Sequence, residues 1–285
     1  MIARFGAVAE GPTVHVAPGT VFEIGGVIIT NSILYGWITI TFMVLFFAWV
    51  ARKVTIKPRG GVVQFVEAGV EFISNLVVNS FDDKSKGRKY VPFFVTLFFF
   101  LLINNWLGLL PGVGEAFRVG ETPLLRAFTA DLNGTLAAGI VTMIFVYVAS
   151  IRETGGVLPY LRHFFIGSPW NPLYFVIGIL EILTDLTRVL SLSLRLFLNV
   201  TIGEIVIAVF SYLGSIAAPV TALPFTMLEM FVGALQAYIF TVLSLMYLSI
   251  AANHGSHTAE HADTEEAELT KDTETETMRL RPGEA

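Results

Sequence analysis

One apolar run, residues 173–213, constrains this chain more than any other feature. It holds no proline and no adjacent glycine pair that would divide it into two spans. As a single helix rising ~1.5 Å per residue it would be about 60 Å long, twice the hydrocarbon thickness of a bilayer. Such a helix has to lie strongly tilted or nearly in the membrane plane. The next apolar run, residues 219–252, is also too long for an upright span, and the link between them is short. The two are therefore expected to form a long tilted antiparallel hairpin.

Ionisable residues sit inside the first of these runs. Arg195 lies between Leu194 and Leu196, with Phe197, Leu198 and Val200 beyond. An arginine at the centre of a membrane helix costs about 2.5–3.5 kcal/mol even on a lenient scale, so it needs a partner or a water pocket. At ~100° per residue, Glu181, Thr184, Arg188, Ser191, Arg195 and Asn199 fall in one stripe, within roughly 40° of Arg195. Glu204 is rotated to about the opposite face. Polarity thus lies on one side early in the helix and on the other side late. Intramembrane ionisable groups mark pathways by default; the plain alternative is two unrelated polar patches packed against neighbours. Neither Glu181 nor Asp185 is near enough along the helix to pair directly with Arg195.

Composition places the chain in the membrane. Of its residues 54% are hydrophobic and 14% charged, against about 25% charged in a soluble domain. The net charge of -5 reflects acids gathered near the C-terminus. With no cysteine, disulfide and thiol chemistry are excluded. The N-terminal stretch lacks the apolar core of a cleaved signal peptide, so the first span is expected to act as its own targeting signal.

In chain order, residues 1–28 are rich in glycine and proline and are read as an outer leader. The first span covers about residues 29–50 and stops at Arg52, Lys53, Lys57 and Arg59, a basic cluster that marks the cytoplasmic side. Residues 62–81 have helical periodicity interrupted by Gln64, Glu67, Glu71, Ser74 and Asn75. They read as an amphipathic helix along the cytoplasmic surface, or docked on a partner subunit. The second span is about 91–110, with Asn104 and Asn105 near its far end; buried amides there most often bond neighbouring helices. The third is about 132–151, with Asp131 or Asn133 available as N-cap.

The fold class expected is an all-α polytopic membrane protein. It has five membrane-crossing helices and one amphipathic surface helix, the last two crossings forming the tilted hairpin. An odd number of crossings puts the termini on opposite sides, the N-terminus outside and the C-terminus in the cytoplasm. Residues 253–285 are polar, acidic and aperiodic and are read as a disordered cytoplasmic tail.

The segment SLSLRLFLNVTIGEIV, residues 191–206, resembles the signature of subunit a of the F-type ATP synthase, of the bacterial type, usually written near SLxLRLFxNxxxGE. LQAYIFTVLSLMYLSIA at 235–251, ADLNGTL at 130–136 and NWLGLLPG at 105–112 are similar to that family too. The resemblance implies the static half of a rotary motor in a bacterial inner membrane. Its expected partners are a ring of c subunits, b-type peripheral stalk subunits, the F1 sector and the lipid bilayer, with no nucleic acid. No cofactor or metal is expected, and the translocated ion is H⁺. The chain itself is expected not to be an enzyme.

By the same resemblance Arg195 matches the family's essential arginine, the charge barrier between two offset half-channels. Glu204 and Gln236 match residues of the outer path; Glu181, Ser191 and Asn199 match residues of the inner path. Glu229 falls where many bacterial members carry His, so two carboxylates are expected to share the outer site. A stand-alone secondary transporter or ion channel would also bury charges, but no internal repeat or Gly/Pro break near Arg195 accompanies them here. A membrane-embedded enzyme lacks a clustered ligand set or nucleophile motif in the spans.

Overall fold

The computed structural model describes residues 19–24, 27–55, 60–110, 113, 118–119, 122–123, 126–154, 156, 172–214 and 217–279. Strands β1 (Thr20–Ile24) and β2 (Val27–Thr30) pair antiparallel and lead into helix α1 (Asn31–Lys53). Then come α2 (Gly61–Asn79), α3 (Lys84–Gly108), the two-residue strands β3 (Arg118–Val119) and β4 (Thr122–Pro123), and a 3-10 turn at Phe128–Ala130. Helices α4 (Leu132–Glu153), α5 (Pro172–Gly214) and α6 (Ala218–Arg279) complete the chain. Among the described residues, six helices are long and apolar enough to cross a membrane. The protein is an all-α polytopic membrane protein.

Local chemistry sets the helix starts. Thr30 caps α1, its hydroxyl accepting from the Ile33 amide, and Arg52 and Lys53 occupy the last turn, where cations favour the helix dipole. Asp83 caps α3 by accepting from the Ser85 amide at 2.8 Å, a bond to its charged form that holds its carboxyl below the usual carboxylate range. Asp131 caps α4 through the Asn133 amide at 3.0 Å and also accepts the Ser32 hydroxyl of α1 at 2.5 Å. One carboxylate thereby ties the starts of two helices together.

The core is rich in aromatic residues and draws on all six helices, α5 contributing Leu192 and Leu196. Phe93 of α3 stacks on Phe145 of α4, and Phe47 of α1 meets Phe99 of α3 edge-on. Helix α2 does not lie apart as a surface element. It runs antiparallel along α3, with Val78 beside Gly87 at one end and Gly69 under the Phe99 ring further on. Val63, Val66, Ile73 and Val77 are buried, and Phe72 reaches Tyr238 of α6. Its polar positions Gln64, Glu67, Glu71 and Asn75 stay wholly or partly exposed. The helical period is as expected; what the apolar face covers is α3, because Gly87 lets the two backbones approach and Gly69 leaves room for the Phe99 ring.

The hairpin is α5 and α6. Helix α5 has 43 residues, about 64 Å at helical rise. It packs antiparallel along α4: Tyr147 meets Asp185, Gly139 meets Ser193, and Val200 clusters with Ala127 and Ala130 just before α4 begins. Residues beyond Val200 therefore overhang the bundle, paired with the start of α6 through stacked Phe210 and Phe225. That overhang exposes Val209, Leu213, Val220, Leu223, Met227 and Leu228. Keeping such a surface in hydrocarbon requires the hairpin to tilt, as its length demands.

Helix α6 differs from expectation at its far end, running to Arg279 instead of stopping near Ala252. The stretch expected to be unstructured holds no proline between Phe225 and Arg281 and is rich in Ala and Glu, which propagate a helix already nucleated in the membrane. The leader also differs: its last residues form the β1–β2 hairpin, and α1 starts at Asn31. Residues 1–18 and 280–285 lie outside the described residues.

Candidate functional site

Arg195 lies on the outer face of α5. It is exposed, and among the described residues it has no hydrogen bond or ion pair. Around it Thr187, Leu190, Ser191, Leu194, Leu198, Asn199 and Ile202 line an open groove of about 710 Å³ on that face. Half of its lining residues are apolar, Leu190, Leu194, Leu198 and Ile202; the other half are the arginine, Thr187, Ser191 and Asn199. The opposite face carries Leu192, Ser193, Leu196 and Val200, all buried against the bundle. The stripe argument from helical period thus separates the two sides of α5 correctly.

The carboxylates sit one to two turns further on. Glu229 of α6 is buried, and its carboxyl rests directly over Gly203 of α5, where any Cβ would overlap it. Gly203 is the only residue type that admits this crossing. A cleft of about 240 Å³ opens there, lined by Asn199, Ile202, Gly203, Val206, Phe225, Leu228, Glu229 and Val232. Glu204, the next residue along, is half-buried and turned to other neighbours. Its charge is within electrostatic reach of Arg126, Glu229 and Tyr35. Arg126 is buried beside the 3-10 turn and donates to the Ala130 carbonyl at 2.9 Å.

The two carboxylates expected together are thus together, one from each arm of the hairpin. Asn199, expected with Ser191, lines both the Arg195 groove and the Glu229 cleft and connects them. Among the described residues its Nδ2 is buried without a partner. Gln236 is buried two turns beyond Glu229, its Nε2 likewise unpartnered. One turn before it, the Gly233 carbonyl accepts from Asn105 of α3 at 3.0 Å, and Trp106 donates to the Met230 carbonyl at 3.0 Å. Asn105 therefore bonds a neighbouring helix as expected, whereas Asn104 donates to the Phe100 carbonyl of its own helix at 2.8 Å. Glu181 lies on α5, but its side chain is outside the described residues.

Sequence reasoning missed Arg126 and Tyr35. Tyr35 donates to the Leu107 carbonyl at 2.7 Å at the end of α3. A signal for Arg126 was present, a lone cation in the apolar segment preceding ADLNGTL, but its closeness to Glu204 depends on how the loop folds back.

Residues 33–249 match the family model described as ATP synthase A chain. The chain belongs to that family. ATP synthase subunit a of Chlorobium phaeobacteroides (strain BS1) is 32% identical over 248 residues, covering 82% of this chain and 69% of that protein. The subunit a of Anaeromyxobacter sp. (strain Fw109-5) is 34% identical over 244 residues, 81% of this chain and 56% of its own. That of Trichlorobacter lovleyi is 31% identical over 220 residues, 76% and 85% respectively. The matched region of this ATP synthase A chain member runs from α1 to the middle of α6 and includes the Arg195 groove, the Glu229 cleft and Arg126. The α6 extension past Ala252 lies beyond it.

Proposed function

We propose that this membrane subunit of ATP synthase is the stationary proton channel of the Fo sector, with Arg195 as the charge barrier between two half-channels. The observation that carries the reading is the unpaired Arg195 on an exposed apolar face, with Glu204 and Glu229 grouped past it at the overhanging end of the hairpin. A face rich in leucine on which, among the described residues, Arg195 is an unpaired cation fits a moving apolar partner that carries a carboxylate. A ring of c subunits is such a partner. b-type stalk subunits and the F1 sector complete the assembly. The membrane is a bacterial inner membrane, with the N-terminus outside and the C-terminus in the cytoplasm. The basic residues at 52–59 and 84–89 support this orientation.

A proton from outside passes Glu204, Glu229 and Gln236 and neutralises a ring carboxylate. The neutral carboxyl faces lipid at little cost, whereas the ionised form cannot. After rotation the proton leaves past Asn199, Ser191 and Glu181. Arg195 keeps its charge at any physiological pH. It draws the deprotonated carboxylate and blocks a direct shunt through Asn199. Each proton crossing yields about 2.3 kcal/mol per 100 mV. The proton is carried by side chains and water, and no bound cofactor is needed.

The test is proton flux and ATP synthesis in vesicles holding the intact complex with Arg195→Ala. The variant assembles, makes no ATP and leaks protons passively. Normal ATP synthesis would refute the reading.

A further inference from the structure

We propose that Asp185 is a positioning residue that silences Arg188, so that Arg195 is the one cation a ring carboxylate meets on this face of α5. This rests on the ring-facing reading above. Arg188 and Arg195 are seven residues apart, about 10 Å along the helix and within roughly 20° of each other around it. By backbone position both belong to the exposed stripe. Yet only Arg195 lines the groove.

The difference lies in what holds Arg188. Its Nη1 is 2.7 Å from one oxygen of Asp185, and its guanidinium carbon lies 3.6 Å above the Tyr247 ring of α6. The other Asp185 oxygen accepts the Tyr147 hydroxyl of α4 at 2.6 Å. Side-chain exposure is 26% for Arg188 and 15% for Asp185. Among the described residues the contacts of the cluster are these: α4 supplies a tyrosine hydroxyl, α6 an aromatic face, and α5 the two opposite charges. Arginine cannot be neutralised by losing its proton. Only a fixed counter-charge removes it from the field that a carboxylate feels.

The consequence is mechanical. A deprotonated ring carboxylate moving along this face is drawn to the free Arg195 and has to leave it once per step. A second free guanidinium two turns away would hold the same carboxylate again. Asp185 prevents this, and Tyr147 and Tyr247 fix the pair away from the groove.

Proton-driven ATP synthesis by the complete complex in vesicles tests the assignment, with ring assembly checked in each preparation. Asp185→Asn slows synthesis by about tenfold or more, Arg188→Gln stays within about twofold of the parent, and the double variant returns to within about twofold, the non-additivity of a coupled pair. Asp185→Glu, which keeps the charge, also stays active. Thr187→Arg places an unneutralised cation in the groove without touching the pair. It runs about tenfold slower than Thr187→Gln, which decides the matter if Asp185→Asn fails to assemble. Full activity of assembled Asp185→Asn overturns the proposal. So does a double variant no better than Asp185→Asn, or equal rates for Thr187→Arg and Thr187→Gln. If Arg195→Ala is dead while this series is flat, the channel reading stands and only the silencing of Arg188 falls.

Discussion

Gly203 shows how one residue can set a site. A methyl group there would overlap the Glu229 carboxyl, and relieving such overpacking typically costs about 1–3 kcal/mol. Gly203→Ala is therefore expected to displace Glu229 and slow proton flow by about tenfold, which corresponds to ~1.4 kcal/mol. Shortening the displaced side chain in Gly203→Ala, Glu229→Asp should recover part of the rate; no recovery would mean that the methyl acts elsewhere. The two carboxylates themselves have a sharper test. With Glu204→Gln and Glu229→Gln combined, the complex should assemble and pump protons poorly. Unchanged pumping by that double variant would remove both from the path.

At the scale of elements, two polar contacts hold helices that apolar packing alone would leave free to slide. The Asn105 amide on the Gly233 carbonyl fixes α3 against α6 next to the Glu229 cleft. Interhelical hydrogen bonds in membranes average about 0.6 kcal/mol and rarely exceed ~2. Asn105→Leu should accordingly lower the thermal stability of the detergent-solubilised complex only slightly, and a loss of assembly would show that this bond does more than join two helices. Asp131 has a double role, capping α4 and accepting Ser32 of α1. Loss of an N-cap costs about 0.5–2 kcal/mol, so Asp131→Ala should destabilise more than Ser32→Ala. Equal effects in a melting experiment would mean that the cap contributes nothing.

For the whole molecule the decisive quantity is the mismatch between helix length and bilayer thickness. Helices α1, α3 and α4 have lengths that fit an upright arrangement, whereas the α5–α6 hairpin overhangs them and must lean. Leaning carries the Arg195 face obliquely past whatever docks there. It also sets Glu229 and Arg195 at different depths, though they are joined through Asn199. Cysteines at the exposed positions Thr20 and Ser85 check the orientation. Thr20 should label from outside and Ser85 from the cytoplasm, and labelling of both from one side would exclude an odd number of crossings between Thr20 and Ser85.

Helical period and the cost of charge in hydrocarbon were enough to separate the Arg195 face from the Glu204 side and to foresee a long hairpin, whereas Glu229 was singled out through the family resemblance. These are properties of one helix or of length, and they are local. Three things needed the tertiary structure. The burial of Arg126 beside Glu204 depends on where the 3-10 turn before α4 packs, and no periodicity encodes that. The division of labour between Arg188 and Arg195, nearly equivalent on a helix wheel, depends on Tyr147 and Tyr247, contributed by two other helices. The seat of α2 along α3 depends on glycines meeting bulky neighbours far away in sequence. A residue's face can be read from its own helix, but its partner comes from elsewhere in the chain, and in a bilayer, where every side chain has apolar surroundings, the partner decides what a charge can do.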